Sequence, residues 1–103
     1  GYYSVYGLPI KQFIELKRKL GFKFESGAFY LTKIDLFAQE RSETSLGITK
    51  EFTDKWSERK VNETDRNRYF RIGFLAQFSS YLRDNGIESY VPKMPPMPQS
   101  AFT

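Results

Sequence analysis

The sequence predicts an all-α domain, a small four-helix bundle. Three observations carry that expectation. Apolar residues recur three and four apart in four separate stretches. No segment longer than four residues alternates with the period of two that a half-buried strand requires. Residues that start and stop helices stand at the ends of the stretches: Pro, Ser, Thr and Asn before them, Gly after them.

The first nine residues, GYYSVYGLP, form an aromatic, glycine-punctuated lead-in with no regular period. Pro9 suits the first turn of a helix, where a missing N–H costs nothing. From Ile10 the stripe Ile10, Phe13, Ile14, Leu16 and Leu20 describes a first helix, and Gly21 supplies its stop. Phe22 to Glu25 connect it to a second helix with Ser26 as its expected N-cap. That helix carries the stripe Tyr30, Leu31, Ile34, Phe37 and Ala38. Phe29 and Leu36 fall on a second, narrower face, where they could meet Tyr2, Tyr3 and Tyr6 or another domain.

The polar run Arg41 to Gly47 (RSETSLG) is a loop, and Thr49 can cap a third, shorter helix. In it Phe52 and Trp56 sit four apart as one anchoring patch. Asn62 or Thr64 can cap a long fourth helix with the stripe Ile72, Leu75, Phe78 and Leu82, closed by Asp84-Asn85-Gly86. After Val91 the sequence PKMPPMP forbids helix and favours an extended, polyproline-like tail. The domain is therefore expected over residues 1–91, with a proline-rich linker over 92–103 that reads as leading to a further domain.

Composition narrows the function. The 103 residues are 40% hydrophobic and 17% aromatic, enough for one compact core and against disorder. His and Cys are both absent. That removes metal sites built on them, cysteine nucleophiles, Ser-His triads and imidazole acid–base chemistry. The expectation is a binding module, with no catalytic residue, cofactor or metal. No apolar run reaches the about 20 residues that a membrane span needs.

Sixteen Lys and Arg against twelve Asp and Glu leave a net charge of +4, which permits a polyanionic partner. The charge gathers in two places. Lys11, Lys17, Arg18, Lys19 and Lys23 surround the end of the first helix, and Arg66, Asn67, Arg68 and Arg71 open the fourth. Such clusters can follow a phosphate backbone, with Asn67 able to reach a base edge. Tyr30 and Tyr69, near predicted helix starts, can donate to phosphate or fill the rim of the core. At about 100° per residue, Arg68 and Arg71 lie on the core side of their helix with Ile72 and Leu75. An arginine on that side must be paired, snorkel, or emerge where the bundle opens; for Arg71 the candidate partner is Asp35, and contact with DNA is the other reading. Gly73, mid-helix, costs up to about 1 kcal/mol relative to alanine and is expected to mark the close approach of another backbone.

Several segments carry a family resemblance. Phe13 to Phe24 (FIELKRKLGFKF), Tyr30 to Phe37 (YLTKIDLF) and Arg71 to Leu82 (RIGFLAQFSSYL), followed by Asn85-Gly86 and Val91-Pro92, resemble the core-binding domain of tyrosine recombinases, the phage-integrase family. The last helix looks like that family's Arg-Leu-small-Val-Ile-x-x-Phe-x-x-Tyr-Leu pattern. The likeness runs from Phe13 to Pro92 and consists largely of hydrophobic spacing.

The resemblance implies a SAM-like orthogonal bundle that binds double-stranded DNA at a recombination site. It implies a clamp completed by the protein's own C-terminal catalytic domain, outside this chain, and synaptic contact with other recombinase protomers. The implied whole protein breaks and rejoins DNA in integration or recombination, in the cytoplasm of a bacterium and on its nucleoid. Carried over by position, the implied DNA-binding residues are Ser26, Tyr30 and Lys33 on the second helix. Thr64, Arg66, Asn67, Arg68 and Arg71 join them at the start of the fourth. Ala76 stands where many members carry a basic residue, which weakens the expected basic face. The alternative reading is a helical protein–protein module with Phe29 and Leu36 as its contact patch and no role on DNA.

Overall fold

The computed structural model describes residues 1–99; the last four positions of the expected linker, 100–103, lie outside the described residues. The chain forms four helices, α1 (Gly7–Lys19), α2 (Glu25–Glu40), α3 (Lys50–Ser57) and α4 (Asp65–Asp84), and no strand among the described residues. The all-α, four-helix expectation holds. The long helix α4 is the centre of the bundle and packs on each of the other three.

The core follows most of the predicted stripes. Ile10, Phe13 and Ile14 of α1, Leu31, Ile34 and Ala38 of α2, Phe52 and Trp56 of α3, and Ile72, Leu75, Phe78 and Leu82 of α4 are all buried. Each such Leu, Ile or Phe contributes about 1.5–3 kcal/mol through burial. Tyr6, the residue before α1, joins them at 1% exposure, its ring edge-on to Phe78 at 5.8 Å. The irregular lead-in thus ends in a core residue. Upstream of it, Asp35 of α2 accepts from the Tyr3 and Ser4 backbone N–H groups and from Ser4 Oγ at 2.6–2.9 Å.

Two stripe assignments are corrected. Leu16 and Leu20 are exposed: Leu16, two residues beyond Ile14, faces the other side of the helix from it, and Leu20 lies past the last helical residue, Lys19, at the C-cap. Phe29 and Leu36 are exposed as well, and the tyrosine with which Phe29 makes ring contact is its neighbour Tyr30.

Three helices end in the same way. After α1, Gly21 N–H bonds to Arg18 O and Phe22 N–H to Lys17 O, with Gly21 at φ +99°. After α4, Gly86 at φ +82° and Ile87 repeat the pattern on Arg83 and Leu82. Both are the expected glycine stops. The end of α2 uses Ser42 at φ +56° in the glycine's place, with Ser42 and Glu43 bonding to Gln39 and Ala38.

Helix starts divide similarly. Thr49 and Thr64 accept from Phe52 and Asn67 backbone N–H groups at 3.0 Å, so Thr64 rather than Asn62 caps α4. Ser26 does not cap α2. The capping position belongs to Phe24, in the left-handed region at φ +57°, and Ser26 lies one residue inside the helix. The reason is steric: the Phe24 ring lies against Gly27, where an added Cβ would sit 2.3 Å from the ring. Phe24 also meets Phe13 and Phe74 edge-on.

Beyond α4 the chain turns back. Tyr90 N–H bonds to Ile48 O at 2.7 Å and Ser89 Oγ accepts from Ile48 N–H, which ties this segment to the start of α3. The proline-rich stretch then lies on the bundle: Pro92 is buried, and Met94 Cε would stand 3.3 Å from a Cβ at Gly73. The expected backbone neighbour of Gly73 is thus corrected: what approaches it is the flexible end of the Met94 side chain.

Candidate nucleic-acid interface

Start with the arginines of α4, since the sequence leaves their role open. Arg71 is 1% exposed, buried despite its charge. Its Nε and Nη2 grip the Glu63 carboxylate, each at 2.8 Å, and Nη2 also donates to Glu58 O at 2.9 Å. Nη1 donates to Trp56 O. The indole N–H of Trp56 donates back to Arg71 O at 2.9 Å, and the guanidinium lies 5.3 Å from that ring's centre. Arg68 Nε reaches Ser57 O at 2.9 Å. Three carbonyls at the C-terminal end of α3, which no helical N–H can satisfy, are thus covered by two arginines of α4. Arg71 is a structural residue, its partner is Glu63 rather than Asp35, and its burial takes it out of reach of a DNA backbone.

Glu63 sits at the junction of this network. One oxygen accepts from Arg71 Nε and from Asn67 Nδ2 at 2.6 Å; the other accepts from Arg71 Nη2 and the Lys60 N–H. The Arg71 hydrogen bonds, aided by those from Lys60 and Asn67 and opposed by burial, hold its carboxyl down at about 2.

From Glu63 the network continues outward. Asn67 Oδ1 accepts from Tyr30 OH at 2.5 Å, which joins α2 to the first turn of α4. The Tyr30 ring stacks on Phe74 with centroids 5.4 Å apart and planes 19° from parallel. Both polar ends of Asn67 are therefore engaged within the protein, and the Tyr30 hydroxyl with them.

The remaining candidates do not all share the side of this bridge: Arg66 and Arg68, two residues apart on α4, point about 200° apart, and Arg68 turns toward α3. Ser26, Tyr30 and Lys33 share a face of α2 by their spacing of four and three. Arg66 and Lys33 are exposed, and each lies beside an aromatic ring: Arg66 5.1 Å from the Phe70 centroid, Lys33 4.9 Å from that of Phe29. Thr64 is exposed and occupied as the α4 cap. Arg68 faces a shallow cleft shared with Arg59, Asp65 and the tail residues Pro95 to Pro98. The second predicted basic cluster, around the end of α1, is separate in sequence and carries its own rings, with Lys17 Nζ 5.5–5.8 Å from Phe13, Phe22 and Phe24.

Glu63 is the residue that sequence reasoning missed. It stands one position before the α4 cap and eight before Arg71, a separation that matches no helical pairing rule. Only the loop that folds Glu63 back over the helix brings them together.

No helix among the described residues is long and apolar enough to cross a membrane. Comparison with family models, with curated proteins and with solved structures returned no match to the chain.

Proposed function

We propose that this chain is the DNA-binding core-binding domain of a site-specific tyrosine recombinase. In this reading it covers one face of duplex DNA at the recombination site, and a catalytic domain outside this chain covers the other and performs strand cleavage. The observation that carries the reading is the Tyr30–Asn67 hydrogen bond. It draws into one surface the two segments that the resemblance assigns to DNA, with Lys33 and Arg66 exposed on either side. In this reading Ser26 and Thr64 extend that surface, Arg68 lies apart from it on the α3 side, and Arg71 supports the start of α4 from inside. The reading places the whole protein in a bacterial cytoplasm, on the nucleoid.

The test is titration of the protein onto duplex DNA at several salt concentrations. Neutralising about three to five phosphates predicts that log K falls against log salt with a slope of about −3 to −4. Absence of binding at low salt overturns the reading. The exposed Phe29 and Leu36, 57% and 40% exposed, favour the second reading, a protein-binding module. That reading predicts indifference to DNA together with self-association or capture of a partner.

A further inference from the structure

We infer that the α2–α4 face is a stacking surface for unpaired nucleotides, so that this domain holds single-stranded DNA as well as duplex. The inference rests on the DNA-binding reading above and narrows what that same face recognises. Its basis is the way two exposed rings are arranged. Phe29 is 57% exposed and Phe70 37% exposed, so each ring presents a face to solvent. A chain of contacts links them across α2 and α4. Phe29 meets Tyr30 edge-on at 5.3 Å, Tyr30 is bonded to Asn67, and Asn67 and Phe70 are three apart on α4.

Each exposed ring has a cation of its own, one helical turn away: Lys33 beside Phe29 and Arg66 beside Phe70. The nearby acids are largely spent on other partners. Glu63 is neutralised by Arg71, and Asp65 by Arg59 at 2.6 Å; Glu25 stays free in the first turn of α2. The occupant that fits alternating rings and cations is a chain that alternates π-faces with negative charge. Unpaired nucleic acid has that chemistry, because every base offers a face to stack and every link a phosphate. An intact duplex hides its base faces within its own stack, so it can use the cations here but not the rings.

The test uses the whole chain and three labelled probes in fluorescence anisotropy. One is a single strand of about 20 nucleotides without self-complementarity. The second is the same strand with abasic sites in place of its bases, and the third is its duplex. Stacking contributes about 1–3 kcal/mol per base, which is at least about 5-fold in affinity. The wild-type protein is expected to bind the intact strand at least about 5-fold more tightly than the abasic one. Phe29→Ala and Phe70→Ala are each expected to weaken the intact strand by about 5-fold or more and to leave the abasic strand unchanged. Phe29→Tyr and Phe70→Tyr are expected to retain binding, and thermal midpoints report that all four variants fold.

Equal affinity for intact and abasic strands overturns the inference, as does wild-type affinity in both alanine variants. Binding of duplex but not of single strand overturns it and leaves the recombinase-domain reading standing. Binding of single strand but not of duplex overturns that reading and, with it, the claim that this face holds both forms. A protein that binds none of the probes overturns both.

Discussion

Arg71 and Glu63 form a fork-to-fork ion pair inside the protein, with side-chain exposures of 1% and 3%. Removing one member of a buried pair leaves the other charge without compensation, at a cost of about 3–5 kcal/mol. Arg71→Ala and Glu63→Ala are both expected to fall in that range in urea unfolding. Arg71→Ala also frees the Trp56 and Glu58 carbonyls, so α3 should lose hydrogen-exchange protection first.

The same pair sets an acid limit. Glu63 is held at about 2 against an ordinary 4.5, so its charged form is favoured by folding. Its contribution, about 3 kcal/mol, is fully present above pH 4.5 and is lost as pH falls from there toward 2. The urea midpoint of the wild type should therefore decline more steeply over that window than that of Glu63→Gln. Parallel declines would show that the carboxylate is not the source.

Tyr6 sets the opposite limit. Burial pushes its phenol up from 10.0 to about 12, with the Glu43 charge adding to the shift. Folding favours the neutral form, so stability is intact below pH 10 and drains away as pH rises through 12. Tyr6→Phe should flatten the alkaline limb of a stability–pH curve.

Two glycines give opposite expectations for the same change. Gly73→Ala gains helix propensity of up to about 1 kcal/mol and meets only the flexible end of Met94. It should raise the thermal midpoint. Gly47 sits at φ +120°, and a Cβ there would lie 2.5 Å from the Glu88 carbonyl oxygen, which is backbone. Gly47→Ala should destabilise by about 1–3 kcal/mol and loosen the Ile48–Tyr90 connection.

The two neighbouring arginines at the start of α4 should also separate. Arg66 is exposed and makes only a ring contact, so Arg66→Ala should leave stability unchanged and reduce the salt slope of DNA binding by about 1. Arg68 carries a bond to Ser57 O, so Arg68→Ala should cost about 1 kcal/mol of stability whatever it does to DNA.

Helix content was legible because its signals are local. Thr49, Thr64, Gly21 and Gly86 act on groups within a few residues, and each does in the folded chain what its position implies. Ser42 shows where that legibility stops. It takes the left-handed stop that glycine would advertise, because the chain must reverse there to begin the loop toward α3. Ser26 fails for a related reason: a good cap residue one position too late yields to the packing of Phe24 on Gly27.

The candidate surface divides along the same line. Lys33 and Arg66, exposed by their positions on the helices, were legible as free cations. Arg71 was legible as an anomaly, a cation on an apolar face, but not as a solved one. Periodicity states which side of a helix a residue faces. It cannot state that Glu63 folds back from a loop, or that the carbonyls of Trp56 and Glu58 end up within reach.

By itself, then, the sequence determined the number of helices, most of their caps and nearly all of the core, since those depend on neighbours along the chain. The tertiary structure alone decided that Arg71 is a strut and not a contact, that Met94 fills the notch at Gly73, and that Tyr30 and Asn67 join two helices into one surface. Each of those joins residues from separate elements, and such distances are set by how the helices pack.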